Sequence, residues 1–138
     1  MPKHEFMPQT WPSERWPNFT FDEMRCTHSL LCYLDPDFMD VLQEIRTAYN
    51  RPMVISSGYR HLSHPVEAKK DRPGSHYEGV AADVLVNGSD AVDLLRIILD
   101  SGAIHRIGFD QRASTPWNER FIHIDRNANR PAAIWSYG

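Results

Sequence analysis

At 138 residues the chain has the size of one domain with one core, and its 41% hydrophobic and 24% charged content is that of an ordinary globular protein. A formal net charge of -3, with no basic cluster interleaved with aromatics, argues against a general nucleic-acid binder. The apolar runs are far too short to span a bilayer, and Met1-Pro2-Lys3-His4-Glu5-Phe6 has no apolar signal core, so the chain is expected to start in a cytoplasm or to leave it by another route.

Residues 1–18 carry Pro2, Pro8, Pro12 and Pro17 with Trp11 and Trp16, which predicts an extended arm pinned to the domain by its tryptophans. The domain itself is expected over 19–138. Thr20-Phe21-Asp22-Glu23 reads as a capping box, with Phe19 and Met24 placed for a hydrophobic staple, so a short helix should follow. Cys26 and Cys32 are too few for a disulfide framework, and they can pair or stay free. Asp35-Pro36 starts a second helix, with Phe38, Val41, Leu42, Ile45, Ala48 and Tyr49 at helical spacing and Asn50-Arg51-Pro52 at its end.

Met53–Ser56 reads as a strand running into Ser57-Gly58-Tyr59-Arg60. Residues 61–75 read as a long polar loop with Pro65, Pro73 and Gly74, in which His61 and His64 are solvated. Ala81–Val86 should be a strand closed by Asn87-Gly88. Ser89 should cap a third helix that buries Ala91, Leu94, Leu95 and Ile98 and ends at Gly102. Arg106–Asp110, Phe121–Asp125 and Ala133–Tyr137 are the remaining strands. Helices first, then mostly strands around one long helix, make an α+β fold.

The chemistry sits in two short segments, Ser75-His76-Tyr77-Glu78-Gly79-Val80-Ala81-Ala82-Asp83 and Phe121-Ile122-His123-Ile124-Asp125. Side chains alternate along a strand, so Ile122 and Ile124 share one face while Phe121, His123 and Asp125 share the other. A loop turning at Gly79 brings His76 and Asp83 to one ion. Two imidazoles and a carboxylate suit a catalytic Zn2+ with its fourth position left to water.

His-x6-Asp followed by a strand with a second His resembles the zinc D-alanyl-D-alanine carboxypeptidases. That group includes the vancomycin-resistance dipeptidases, phage endolysin peptidases and, by fold, the Hedgehog signalling domain. Ser56-Ser57-Gly58-Tyr59-Arg60, Pro73-Gly74-Ser75-His76, Arg106-Ile107-Gly108-Phe109 and Ile134-Trp135-Ser136-Tyr137 extend the match over roughly residues 20–137, closest to the small phage-type branch. The resemblance implies an α+β, Hedgehog-like fold with a small, mostly antiparallel sheet, flanking helices and one metal cleft, zinc ligands His76, Asp83 and His123, and an Arg60 that binds a substrate carboxylate or steadies the oxyanion, with help from Ser57. It also implies a zinc that polarises the scissile carbonyl and lowers the pKa of its water.

One position departs from the pattern. Many relatives carry a Glu base three residues before the last ligand His, where this chain has Arg120, a permanent cation. Asp125 is the first choice for the base, with an orienting role toward His123 as its alternative; Glu119 and Asp110 are the others. The expectation is therefore a monomeric zinc metallopeptidase acting on peptidoglycan peptides near a D-amino acid, with no nucleic-acid or membrane partner. If phage-derived, it is made in the cytoplasm and acts on the cell wall. Its rival is a zinc-stabilised binding module without catalysis.

Overall fold

The computed structural model describes residues 3–138. Met1 and Pro2 of the expected arm lie outside them. The arm is extended only at β1 (His4–Glu5), which pairs antiparallel with β2 (Tyr33–Leu34). Beyond β1 it folds back in turns, because Phe6, Trp11 and Trp16 gather edge-to-face, with ring centroids 5.3–5.6 Å apart. Trp16 is fully buried, and its indole N–H donates to Asp40 at 2.8 Å.

The capping box forms as expected. Thr20 Oγ1 accepts from the Glu23 amide, Glu23 Oε1 accepts from the Thr20 amide, and α1 (Phe21–Met24) follows. Asp35 caps α2 (Pro36–Tyr49), which stops at Asn50 in the left-handed conformation. Its buried stripe takes Met39 and leaves Ala48 exposed, a rotation of the face expected from spacing alone.

β3 (Val54–Ser57) runs one residue later than expected. The supposed long loop contains a helical turn, α3 (Pro65–Ala68), because His64 Nδ1 accepts from the Val66 amide at 3.1 Å and Pro65 presets the first helical position. β4 (Ala81–Leu85) leads to α4 (Gly88–Ser101). Ser89 does not cap this helix. The N-cap position falls to Asn87, whose side-chain amide is turned away and donates to the Trp117 carbonyl at 3.0 Å. Gly102 ends α4 at φ +64 as expected. β5 (Arg106–Asp110), a 3-10 turn (Trp117–Glu119), β6 (Phe121–Asp125) and β7 (Ala133–Ser136) complete the chain.

The main sheet has the order β3-β4-β6-β5-β7, antiparallel except for the parallel pair β5-β7. One face of it carries Ala82, Val84, Ile107, Ile122 and Ile124, which join Phe38, Leu42, Ile45, Leu94 and Ile98 of the two long helices in one buried cluster. That leaves the opposite face of β4 and β6 for polar side chains. No helix among the described residues is long and apolar enough to cross a membrane.

The loop entering β4 turns at Gly79, with φ +74. Its carbonyl accepts from the Asp35 amide at 2.9 Å, and a Cβ there would stand 2.6 Å from the Tyr33 carbonyl oxygen. Gly79→Ala therefore combines left-handed strain with a backbone collision. We expect a loss of roughly 2 kcal/mol or more in urea denaturation. An unchanged midpoint would mean that the loop shifts freely.

Candidate metal centre

The register of β4 against β6 sets Asp83 directly across from His123, and that of β5 against β6 sets Gly108 beside the same histidine. Asp83 Oδ1 lies 2.8 Å from His123 Nδ1 and 3.3 Å from His76 Nε2. One ligand atom from each of His76, Asp83 and His123 falls within 4.8 Å of the other two, and all three residues are buried.

The outward-turned nitrogen of each imidazole is held by an acceptor. His76 Nδ1 donates to the Gly58 carbonyl at 2.7 Å, and His123 Nε2 donates to Asp125 Oδ2 at 2.8 Å. This network assigns a bare lone pair to His76 Nε2, which is buried without any hydrogen-bond partner. Burial holds His76 below its usual pKa despite the pull of Asp83, so the ring stays neutral. A neutral nitrogen facing a carboxylate oxygen is a pair of acceptors without a donor. A cation between them removes that cost, and a His, Asp, His donor set suits zinc.

The carboxylates fit the same account. Burial alone would raise the pKa of Asp83, but the hydrogen bond and charge of His123 outweigh it and hold the group well below the usual range. Burial opposes charging His123, yet Asp125 and Asp83 together raise its pKa. A metal ion taken up there displaces the proton shared by His123 and Asp83, so binding should weaken as pH falls.

Arg60 closes the site. Its guanidinium donates to Ser57 Oγ at 2.9 Å, Asp83 Oδ2 at 3.3 Å and Glu67 Oε2 at 3.4 Å. Glu67 has no exposed side-chain surface, and it also accepts from the Gly74 amide at 2.9 Å and from Lys70 at 2.8 Å. It thereby ties Arg60 to the segment that carries His76. Asp125 is 1% exposed; besides His123 it accepts from the Asn127 amide at 3.0 Å and meets Arg106 Nε at 3.0 Å.

A cavity of about 330 Å³ opens over the centre, lined on its far side by Phe121, Trp135 and Tyr137. A second of about 290 Å³ lies beyond Arg60, and Arg60, Val66 and Asp83 form the wall between them. His76, Asp83, His123, Arg60 and Asp125 thus come together as the sequence suggested. Glu119 stands exposed on the 3-10 turn and lines neither cavity. Asp110 is engaged by Arg112 and Thr115. Sequence reasoning missed Glu67, Arg106 and the Gly58 carbonyl. Arg106 and Gly58 stand inside motifs that were noticed, whereas nothing around Glu67 marks it.

A family model described as Peptidase M15 matches residues 17–125, a span that contains all three candidate ligands. Among curated proteins and among solved structures, none matches the chain.

The purified chain should bind about one zinc, with affinity falling at acid pH, and His123→Ala or His76→Ala should abolish most of that binding. Chelation should lower the melting temperature and leave the secondary structure in place at room temperature, since the apolar cluster lies on the other face of the sheet. Metal analysis finding equal zinc in wild type and His123→Ala would remove that residue from the centre. A random-coil spectrum after chelation would make the metal a folding requirement.

Proposed function

The chain belongs to peptidase family M15, the zinc D-Ala-D-Ala carboxypeptidases, and on that premise we propose that it hydrolyses a peptide bond next to a D-amino acid in bacterial cell-wall peptides, on a Hedgehog-like fold. The observation that carries this reading is the convergence of two imidazoles, each tied at its outer nitrogen, on one oxygen of Asp83 beneath an open cavity. When bound, zinc supplies Lewis-acid polarisation of the scissile carbonyl and acidifies water.

The chain's own residues have separate tasks. Arg60 uses three of its five N–H donors internally and keeps two for a substrate carboxylate or a developing oxyanion. Burial raises the pKa of Tyr137, so its hydroxyl keeps its proton and can donate into the cavity. Trp135 flanks His123 with ring centroids 5.4 Å apart and gives the substrate an apolar wall. Asp125, with its oxygens taken by His123, Asn127 and Arg106, is a positioning residue for the His123 ring.

A second reading, a zinc-stabilised binding module, has one observation in its favour. Among the described residues the only carboxylates lining the cavity are Asp83 and Asp125, and both are engaged. Mass spectrometry of defined muropeptides incubated with zinc-loaded protein separates the two. A peptidase returns a cleaved product; a binding module holds zinc and leaves the muropeptides intact.

For Asp125→Asn we expect zinc affinity to drop by roughly 10- to 100-fold, the usual scale for losing an outer partner of a ligand histidine. Competition against a chromophoric chelator measures it. Unchanged affinity with kcat lowered about a hundredfold would make Asp125 the general base instead. Glu119→Gln should alter neither quantity.

A further inference from the structure

Beside the metal cavity lies a wider basin of about 920 Å³, and Lys70, Gly74, Arg106 and Arg130 line both. Cations dominate its wall: Lys69, Lys70, Arg72, Arg106 and Arg130, against Asp71 alone. The chain as a whole carries a net charge of -3, so this concentration of positive charge does not follow from composition. Some of these cations are already balanced. Lys70 pairs with Glu67 at 2.8 Å, and Arg106 pairs with Asp125 at 3.0 Å. Arg130 donates only to a neutral carbonyl, that of Pro73 at 3.2 Å, and the side chains of Lys69 and Arg72 make no hydrogen bond or ion pair among the described residues. Three unneutralised cations therefore face one carboxylate across an open concavity that runs into the reaction site. Such a wall attracts anions and focuses their approach.

Building on the peptidase reading, we infer that this basin is a substrate subsite for a peptide segment bearing at least two carboxylates on one side of the scissile bond. Carboxylates are favoured over phosphates because the basin is continuous with a cavity whose occupant, on that reading, is a peptide. The cations also sit on three separate stretches, 69–72, Arg106 and Arg130, as suits charges spaced along a chain. Lys69 and Arg72 set the preference. Both are exposed and have no internal partner, so removing them leaves the fold and the metal centre alone.

The test needs no turnover. N-acetyl-Glu-Glu-amide, which has two carboxylates, and N-acetyl-Gln-Gln-amide, which has none, are titrated into the zinc-loaded full chain, and amide shifts are followed by NMR. The diacid should bind about three- to tenfold more tightly at low salt, the scale of two exposed charge pairs. Its shifts should map to residues 69–74 and 129–131, and its advantage should fade as salt is raised. The double variant Lys69→Ala, Arg72→Ala should bind both probes equally while holding zinc as the wild type does. Equal binding of the two probes by wild type would overturn the inference, as would an undiminished preference in the variant or tighter binding of inorganic phosphate than of the diacid. A chain that cleaves no muropeptide yet binds the diacid here would fail only as a peptidase. One that cleaves but shows no diacid preference would lose only this subsite.

Discussion

The centre depends on the antiparallel register between β4 and β6. With Asp83 opposite His123, the carboxylate oxygen and the imidazole come within 2.8 Å without either strand leaving its ladder. Strand alternation then sends Ile122 and Ile124 to the helices, so the same register fills the core and builds the site. A slip of one residue would turn the isoleucines to the cavity and the histidine to the helices. Apolar burial therefore enforces the geometry of a polar centre that could not enforce it alone.

Bringing Asp83, Asp125 and Glu67 out of water is costly, and each is matched by a specific partner set. Arg60 bridges Asp83 and Glu67, Arg106 meets Asp125, and Lys70 meets Glu67. Pairs of this kind contribute little net stability, but removing one member leaves an uncompensated charge. Their value here lies in direction. Arg60 is held over the boundary between two cavities, and the segment Gly74–His76 is drawn toward it through Glu67.

Much of this was legible in the chain because it rests on local chemistry. The capping box at Thr20, the Asp35-Pro36 start and the left-handed Gly102 each need only neighbours in sequence. The candidate ligands were legible because metal chemistry restricts residue types, and the fold brings one ligand atom from each of His76, Asp83 and His123 within 4.8 Å of the others. What escaped depends on partners distant in the chain. Asn87 gives up its capping role for Trp117, thirty residues on. The arm turns back because three aromatic rings meet. Glu67 lies within the stretch read as a polar loop, and only the fold shows that it joins Arg60, Lys70 and Gly74. The basic basin escaped because it is assembled from three separate stretches.

The arginine at position 120 follows from the same strand geometry. Its carbonyl accepts from the Val86 amide at 3.0 Å, which keeps residue 120 in line with the ladder that continues through Phe121. Standing an odd number of residues before His123, it faces the helix side, where it lines a groove with Ala91, Phe109 and Ile122. Its Nε donates to the Thr115 carbonyl at 3.1 Å, and its guanidinium lies over the Trp117 ring, 4.8 Å from the centroid. A glutamate at 120 on this backbone would point into that apolar groove and away from His76, Asp83 and His123. A carboxylate could reach the metal cavity from this side only if β6 began later or bulged, so the residue type at 120 and the straight entry into β6 belong to one structural choice.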